Sequence, residues 1–196
     1  MLVSMNWIKE YVDLEGENLR DLIMKFTLST AEVEDIFIKG EEVKDVVVGE
    51  IVSFEAHPNS KKLHILKVDG GDRIYDCVCG APNAALGLKV AFAKVGGSVP
   101  GLEIAKREVA GYVSEGMCCS EAELGISDEN SGIMELDSSL KNGTDLKEIF
   151  DIDDVVFEVD NKSLTNRPDL WGHYGIAREF AALPKKELKP LSLTEP

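Results

Sequence analysis

Basic side chains are in short supply: 21 Lys and Arg stand against 36 Asp and Glu, which leaves a formal charge of −15 and a pI near 4.6. Such a chain repels a polyanion as a whole, so any nucleic-acid contact has to come from a local basic strip. Histidine is scarcer still, and His57, His64 and His173 stand outside any H-E-x-x-H pair or catalytic-triad context. There is no G-x-x-x-x-G-K-[ST] phosphate cradle, no G-x-G-x-x-G behind a strand and no G-x-S-x-G elbow. No catalytic residue is expected. The four cysteines fall as Cys77/Cys79 and Cys118/Cys119. Neither spacing suits a local disulfide, a C-x-x-C redox turn or the usual separation of paired zinc ligands, so buried thiols and no metal are expected. No apolar run approaches the roughly 18–20 residues that span a bilayer, and the opening residues lack a basic stretch followed by an apolar one. The expectation is a cytoplasmic chain without a membrane segment.

What is present reads as globular: 44% of residues are hydrophobic and 29% charged, and 196 residues allow one large domain or two small ones. Ser4 stands as an N-cap before Trp7, Ile8, Tyr11 and Val12, and Asn18 before Leu19, Leu22, Ile23 and Phe26, both at helical spacing. Val33, Ile36 and Ile38 then suggest a strand that stops at Gly40. From Val46 the texture changes to short β-branched runs, 46–52, 63–68, 74–79 and 89–93, separated by Gly, Pro and Asn. Cys77 and Cys79 share a strand face with Tyr75, which predicts core packing for all three. After Gly143 the pattern returns to α+β. Leu146, Ile149 and Phe150 mark a short helix and Val155–Val159 a buried strand. Pro168 is placed to open a helix, with Asp169 beside its N-terminus, and Leu170, Tyr174, Ala177, Phe180 and Ala181 line its face until Pro184. The predicted class is α+β: a five-stranded OB-type β-barrel at 40–150 inserted into a small discontinuous domain made of 1–39 and 151–185. Neither flank has enough apolar surface to fold alone. Residues 186–196 read as a linker or chain end.

Three stretches resemble one known module. His57-Pro58-Asn59-Ser60-Lys61-Lys62-Leu63-His64-Ile65-Leu66-Lys67-Val68-Asp69-Gly70, then Cys79-Gly80-Ala81-Pro82-Asn83, then 111–125 from Gly111-Tyr112-Val113-Ser114-Glu115-Gly116-Met117 to Gly125, are similar to the signatures of the tRNA-binding (EMAP-type) OB domain found on several synthetases. The flanks, Ser4-Met5-Asn6-Trp7-Ile8-Lys9-Glu10-Tyr11-Val12 and 160–179 around Thr165-Asn166-Arg167-Pro168-Asp169, resemble the beta chains of bacterial phenylalanine–tRNA ligases. That resemblance implies a non-catalytic N-terminal piece of a longer chain, inactive alone. Its partners would be tRNA, bound weakly, the alpha chain and the rest of the beta chain, with ATP and Mg required by the complete enzyme.

Candidate nucleic-acid contacts are His57, Asn59, Lys61, Lys62, His64, Lys67, Ser114 and Arg167. Lys61 and Lys62 could neutralise phosphates or simply be solvated surface, and Arg167 could pair with a carboxylate or a phosphate. Glycines 80, 87, 111 and 116 are explained by turns or close backbone approach before any RNA contact is invoked. Aromatic platforms are few: Tyr75 and Phe92 are the barrel's main candidates, and both read as core. Residues 41–150 hold 11 basic against 19 acidic side chains, a net of −8. The competing reading is therefore an OB interaction module for synthetase assembly, or a stand-alone tRNA-binding protein.

Overall fold

A computed structural model describes residues 1–191; the end of the expected linker, 192–196, lies outside the described residues. The chain divides into two compact units, Met1–Lys39 with Asp153 to the end of the described chain, and Gly40–Ile152. Both mix helices with antiparallel strands, so the class is α+β.

The first unit begins with β1 (Leu2–Ser4), α1 (Met5–Tyr11), α2 (Leu19–Ser29) and β2 (Val33–Lys39). The Ser4 hydroxyl accepts the Trp7 N–H, and the Asn18 side chain accepts from Arg20 and Asp21, so both helices start where their caps place them. The buried face of α1 is Met5, Ile8 and Val12 rather than one centred on Trp7, which is 49% exposed. Trp7 instead stacks on His173, with ring centroids 4.0 Å apart.

The second unit follows with β3 (Lys44–Ala56), β4 (His64–Asp69), β5 (Ile74–Cys79), β6 (Lys89–Val99), β7 (Leu102–Glu103), β8 (Arg107–Val109), β9 (Tyr112–Ser114), β10 (Gly116–Cys118), β11 (Glu135–Leu136) and the short α3 (Leu146–Ile149). Its main sheet is ordered β10-β6-β3-β4-β5, with β7 and β11 also on β6, and every pairing is antiparallel. The continuous apolar runs of β3 and β6 reflect burial on both faces. Val46, Val48, Ala91 and Ala93 enter one core, while Val47, Val90 and Phe92 enter the other with Ile51, Leu66, Val68 and Tyr75. No ladder joins β5 to β10, so the paired path does not close on itself. Gly116 lies opposite Lys94 beside Phe92, and a Cβ there would stand 2.2 Å from the Phe92 ring and 2.8 Å from the Ala93 carbonyl.

The chain returns to the first unit through β12 (Asp154–Val159), the central strand of the order β1-β12-β2, and ends in α4 (His173–Ala182). Phe26, Phe157 and Phe180 pack mutually with centroids 5.3–6.0 Å apart at the centre of its core. The helix expected from Pro168 starts five residues later. Pro168–Leu170 form one 3-10 turn and α4 begins after Gly172. The physical reason is local: Asp169 is held by Arg167 through two bonds of 3.0 and 2.9 Å, and the Trp171 indole donates to the Leu164 carbonyl. Beyond α4, the Lys189 N–H donates to the Tyr11 carbonyl and Leu188 bridges Val12, so this part of the expected linker pairs with α1.

Candidate nucleic-acid interface

Between β3 and β4 the chain makes a seven-residue turn, 57–63, that is tied to itself. The His57 N–H donates to the Leu63 carbonyl at 3.1 Å, and the Ser60 hydroxyl accepts from the Lys62 and Leu63 N–H groups. His57 is the fastening. Its ring is 3% exposed, its Nδ1 accepts the Asn59 N–H at 3.1 Å, and its Nε2 lies 3.2 Å from the Ala110 carbonyl. Because Nδ1 accepts, the neutral ring carries its proton on Nε2 and donates it to Ala110. Ala110 and Gly111 are the two central residues of the β8–β9 hairpin, both with positive φ (52° and 89°), as a tight two-residue turn requires. The Tyr112 ring meets His57 edge-on at 5.0 Å. The loop is thereby pinned to the hairpin.

At the other end of the loop His64 stacks on Phe54, with centroids 4.5 Å apart and planes 30° from parallel. The His64 Nδ1 is buried and has no hydrogen-bond partner. Lys61 and Lys62 are exposed on the loop, and among the described residues neither ammonium has an ion-pair partner. Elsewhere in the unit Lys67 pairs with Asp76, Arg73 and Lys106 with Glu115, Lys89 with Glu50 and Lys94 with Asp72. The Lys106 and Arg73 bonds draw the Glu115 carboxyl down to about 2, so it stays a fully charged partner. Five of the eleven cations of this unit are thus neutralised in place, and the 57–64 loop presents positive charge between two half-exposed rings, Phe54 at 37% and Tyr112 at 38%.

His57, Asn59, Lys61, Lys62 and His64 therefore converge on one loop. Asn59 is exposed, with its N–H committed to His57. Ser114 is buried at the foot of the hairpin, where its hydroxyl accepts the Val78 N–H at 3.1 Å and donates to the Gly116 carbonyl at 3.0 Å. Lys67 lies further along β4 in its pair with Asp76. Arg167 belongs to the other unit, where Asp169 and Glu179 surround its guanidinium and hold it protonated. Tyr75 and Phe92, the rings expected inside, are buried there. Sequence reasoning passed over Phe54 and Tyr112. Tyr112 lies in the third of the resembling stretches without having been read as a platform, and the only signal for Phe54 was an aromatic residue in the polar surrounding Ser53-Phe54-Glu55. Among the described residues no three His, Cys, Asp or Glu side chains are placed to hold a metal ion.

The chain spans about a quarter of the length of the curated relatives it matches. It is 42% identical over 191 residues to the phenylalanine–tRNA ligase beta subunit of Fusobacterium nucleatum, covering 96% of this chain and 24% of that one. The corresponding subunits of Francisella tularensis and Dickeya dadantii are each 42% identical across the full chain, covering 25% and 24% of theirs. A solved MetRS related protein from Pyrococcus horikoshii aligns over 52% of this chain and 87% of its own, with 19% identity and a TM-score of 0.39. The family model for the tRNA binding domain matches residues 46–145. That segment contains the loop, both aromatic pairs and the hairpin, and it makes up just over half of the sequence: the chain belongs to the tRNA binding domain family.

Proposed function

We propose that this chain is the non-catalytic N-terminal region of the beta chain of a phenylalanine–tRNA ligase, and that its 57–64 loop gives the enzyme a weak, salt-sensitive hold on tRNA. The observation that carries the reading is the loop itself: unpaired Lys61 and Lys62 on a backbone pinned by His57, flanked by the exposed rings of Phe54 and Tyr112, inside the segment that matches the family. Cations would take phosphates and the rings would take unstacked bases. Lys67 and Arg167, already matched to carboxylates, would contribute little to RNA, and Ser114 and His57 would act by holding the loop and hairpin in shape. The curled five-strand path β10-β6-β3-β4-β5 is read as an OB-type barrel that presents this loop at its rim. The alpha chain and the rest of the beta chain are the expected protein partners, in the cytoplasm. ATP and Mg would serve the complete enzyme elsewhere, since no phosphate-cradling motif and no three-ligand acidic cluster among the described residues fits them.

Fluorescence anisotropy with labelled tRNA tests the reading. Binding is expected at low salt, falling by about 0.7 log unit per log unit of salt for each single-strand phosphate contact. Lys61→Glu with Lys62→Glu should weaken it at every salt concentration. Phe54→Ala with Tyr112→Ala should weaken it while leaving the salt slope unchanged. Absence of binding at any salt concentration would favour the assembly-module reading, for which the net −8 of residues 41–150 speaks.

A further inference from the structure

Strands β5 and β10 are the two ends of the paired path, and only scattered hydrogen bonds join their neighbourhoods among the described residues. The Glu115 N–H donates to the Asp76 carbonyl at 2.7 Å, the Val78 N–H to the Ser114 hydroxyl, and the Cys77 thiol to the Gly116 carbonyl at 3.6 Å. Thiols line this seam. Cys77 and Cys79 alternate along β5 and enter the same core as Cys118, whereas Cys119, one residue on, faces the opposite core. The Cys77 thiol reaches the carbonyl of Gly116, and Cys79 and Cys118 each lie two residues further along their strands, facing the same core. All four cysteines are free. A cavity of about 780 Å³ opens onto the seam, and of the four thiols it reaches Cys79 and Cys118, which are 8% and 7% exposed. Cys77 and Cys119 are 1% and 0% exposed.

We infer that Cys79 and Cys118 are a redox-modification site, in which a small hydroperoxide entering this cavity joins them as a disulfide across the β5–β10 seam. The Cys79 sulfur accepts the Ala81 N–H at 3.4 Å, a bond that favours its thiolate and suits it to the nucleophile's part. The Cys118 thiol and the Ala81 N–H both act on the Cys79 sulfur and draw its thiol down to about 7. The interactions with Cys77 and Cys79, reinforced by burial, hold Cys118 well above the usual thiol range. Burial pushes Cys119 up to about 12, which leaves it inert.

The Cys79 thiolate attacks one oxygen of hydrogen peroxide. The O–O bond breaks, hydroxide leaves and takes a proton as water, and Cys79 becomes a sulfenic acid. Cys118 then loses its proton to solvent. Its sulfur attacks the Cys79 sulfur, the S–O bond breaks, and the displaced hydroxide leaves as water. Two thiols are oxidised by two electrons in total, and one peroxide is reduced to two waters. The product ties together covalently the two end strands of a path that no ladder closes.

Peptide mapping of the native chain after one equivalent of hydrogen peroxide, with free thiols blocked by iodoacetamide, tests this. The expected product is a monomer lighter by two hydrogen atoms, with a cross-linked peptide joining Cys79 to Cys118 that dithiothreitol releases. The Cys118→Ser chain should stop at a sulfenic acid on Cys79 that dimedone traps, and Cys119→Ser should cross-link as the wild type does. The wild-type map needs no variant to fold. Four alkylatable thiols after peroxide, a dimedone adduct on Cys119 in place of Cys79, or a cross-link between two chains would each overturn the assignment.

Discussion

At the scale of single residues, burial reverses what residue type suggests. His57 belongs to the residue class that contacts RNA, yet it is 3% exposed and spends both ring nitrogens inside the protein. His57→Ala should cost about 1–3 kcal/mol of stability, measured by urea unfolding, because the Ala110 carbonyl and the Asn59 N–H lose their partner. An unchanged unfolding midpoint would return His57 to the surface-ligand class. His173 offers a pH-dependent counterpart. Its Nε2 accepts the Ser4 N–H at 3.1 Å at the start of α1 under the Trp7 ring, and burial pushes its pKa below the ordinary value. The unfolded chain therefore binds more protons than the folded one across the histidine range. Stability from this site is full above the unfolded pKa of about 6.5 and is lost as the pH falls through and below that value. The unfolding midpoint should fall as the pH drops from about 7 towards 5.5, and His173→Gln should flatten that dependence.

At the scale of elements, short-range signals located most segments and missed those set by distant partners. Ser4 and Asn18 cap the helices they precede, and the alternation in β5 buries Tyr75, Cys77 and Cys79 together. Pro168 was misleading because side-chain bonds decide the conformation after it: Arg167 holds Asp169, and Arg178 and Glu179 on α4 complete the charged cluster. Arg167→Ala should therefore lower the thermal midpoint and leave tRNA affinity unchanged; an affinity loss without a stability loss would restore Arg167 as an RNA contact. In the second unit the close approach of β10 to β6 fixes Gly116. Gly116→Ala should cost about 1–3 kcal/mol in denaturant titration, since its Cβ would run into the buried Phe92 ring and the Ala93 backbone.

At the scale of the whole molecule, the first unit is completed by segments from the two ends of the chain. Lys39 and Asp154 are directly opposed in the β2–β12 ladder, so residues 40–152 leave and return where a hairpin turn would stand. Joining Lys39 to Asp153 through Asn-Gly should give a helical protein that melts cooperatively by circular dichroism. A chain without a cooperative transition would show that the first unit depends on the second.

Sequence alone determined what each segment can do locally: which residues cap, which face is apolar, where glycine relieves a turn, and that nucleic-acid contact would need a local basic strip. Those properties follow from interactions over a few residues, and periodicity records them. Only the tertiary structure decided which cations stay unpaired, that Tyr112 packs on His57, that Phe54 stacks on His64, and that Cys79 and Cys118 line one cavity. His57 and Tyr112, and Cys79 and Cys118, come from segments far apart in the chain that tertiary packing sets side by side. The burial and charge neutralisation that follow from that packing leave no mark in the local pattern of either partner.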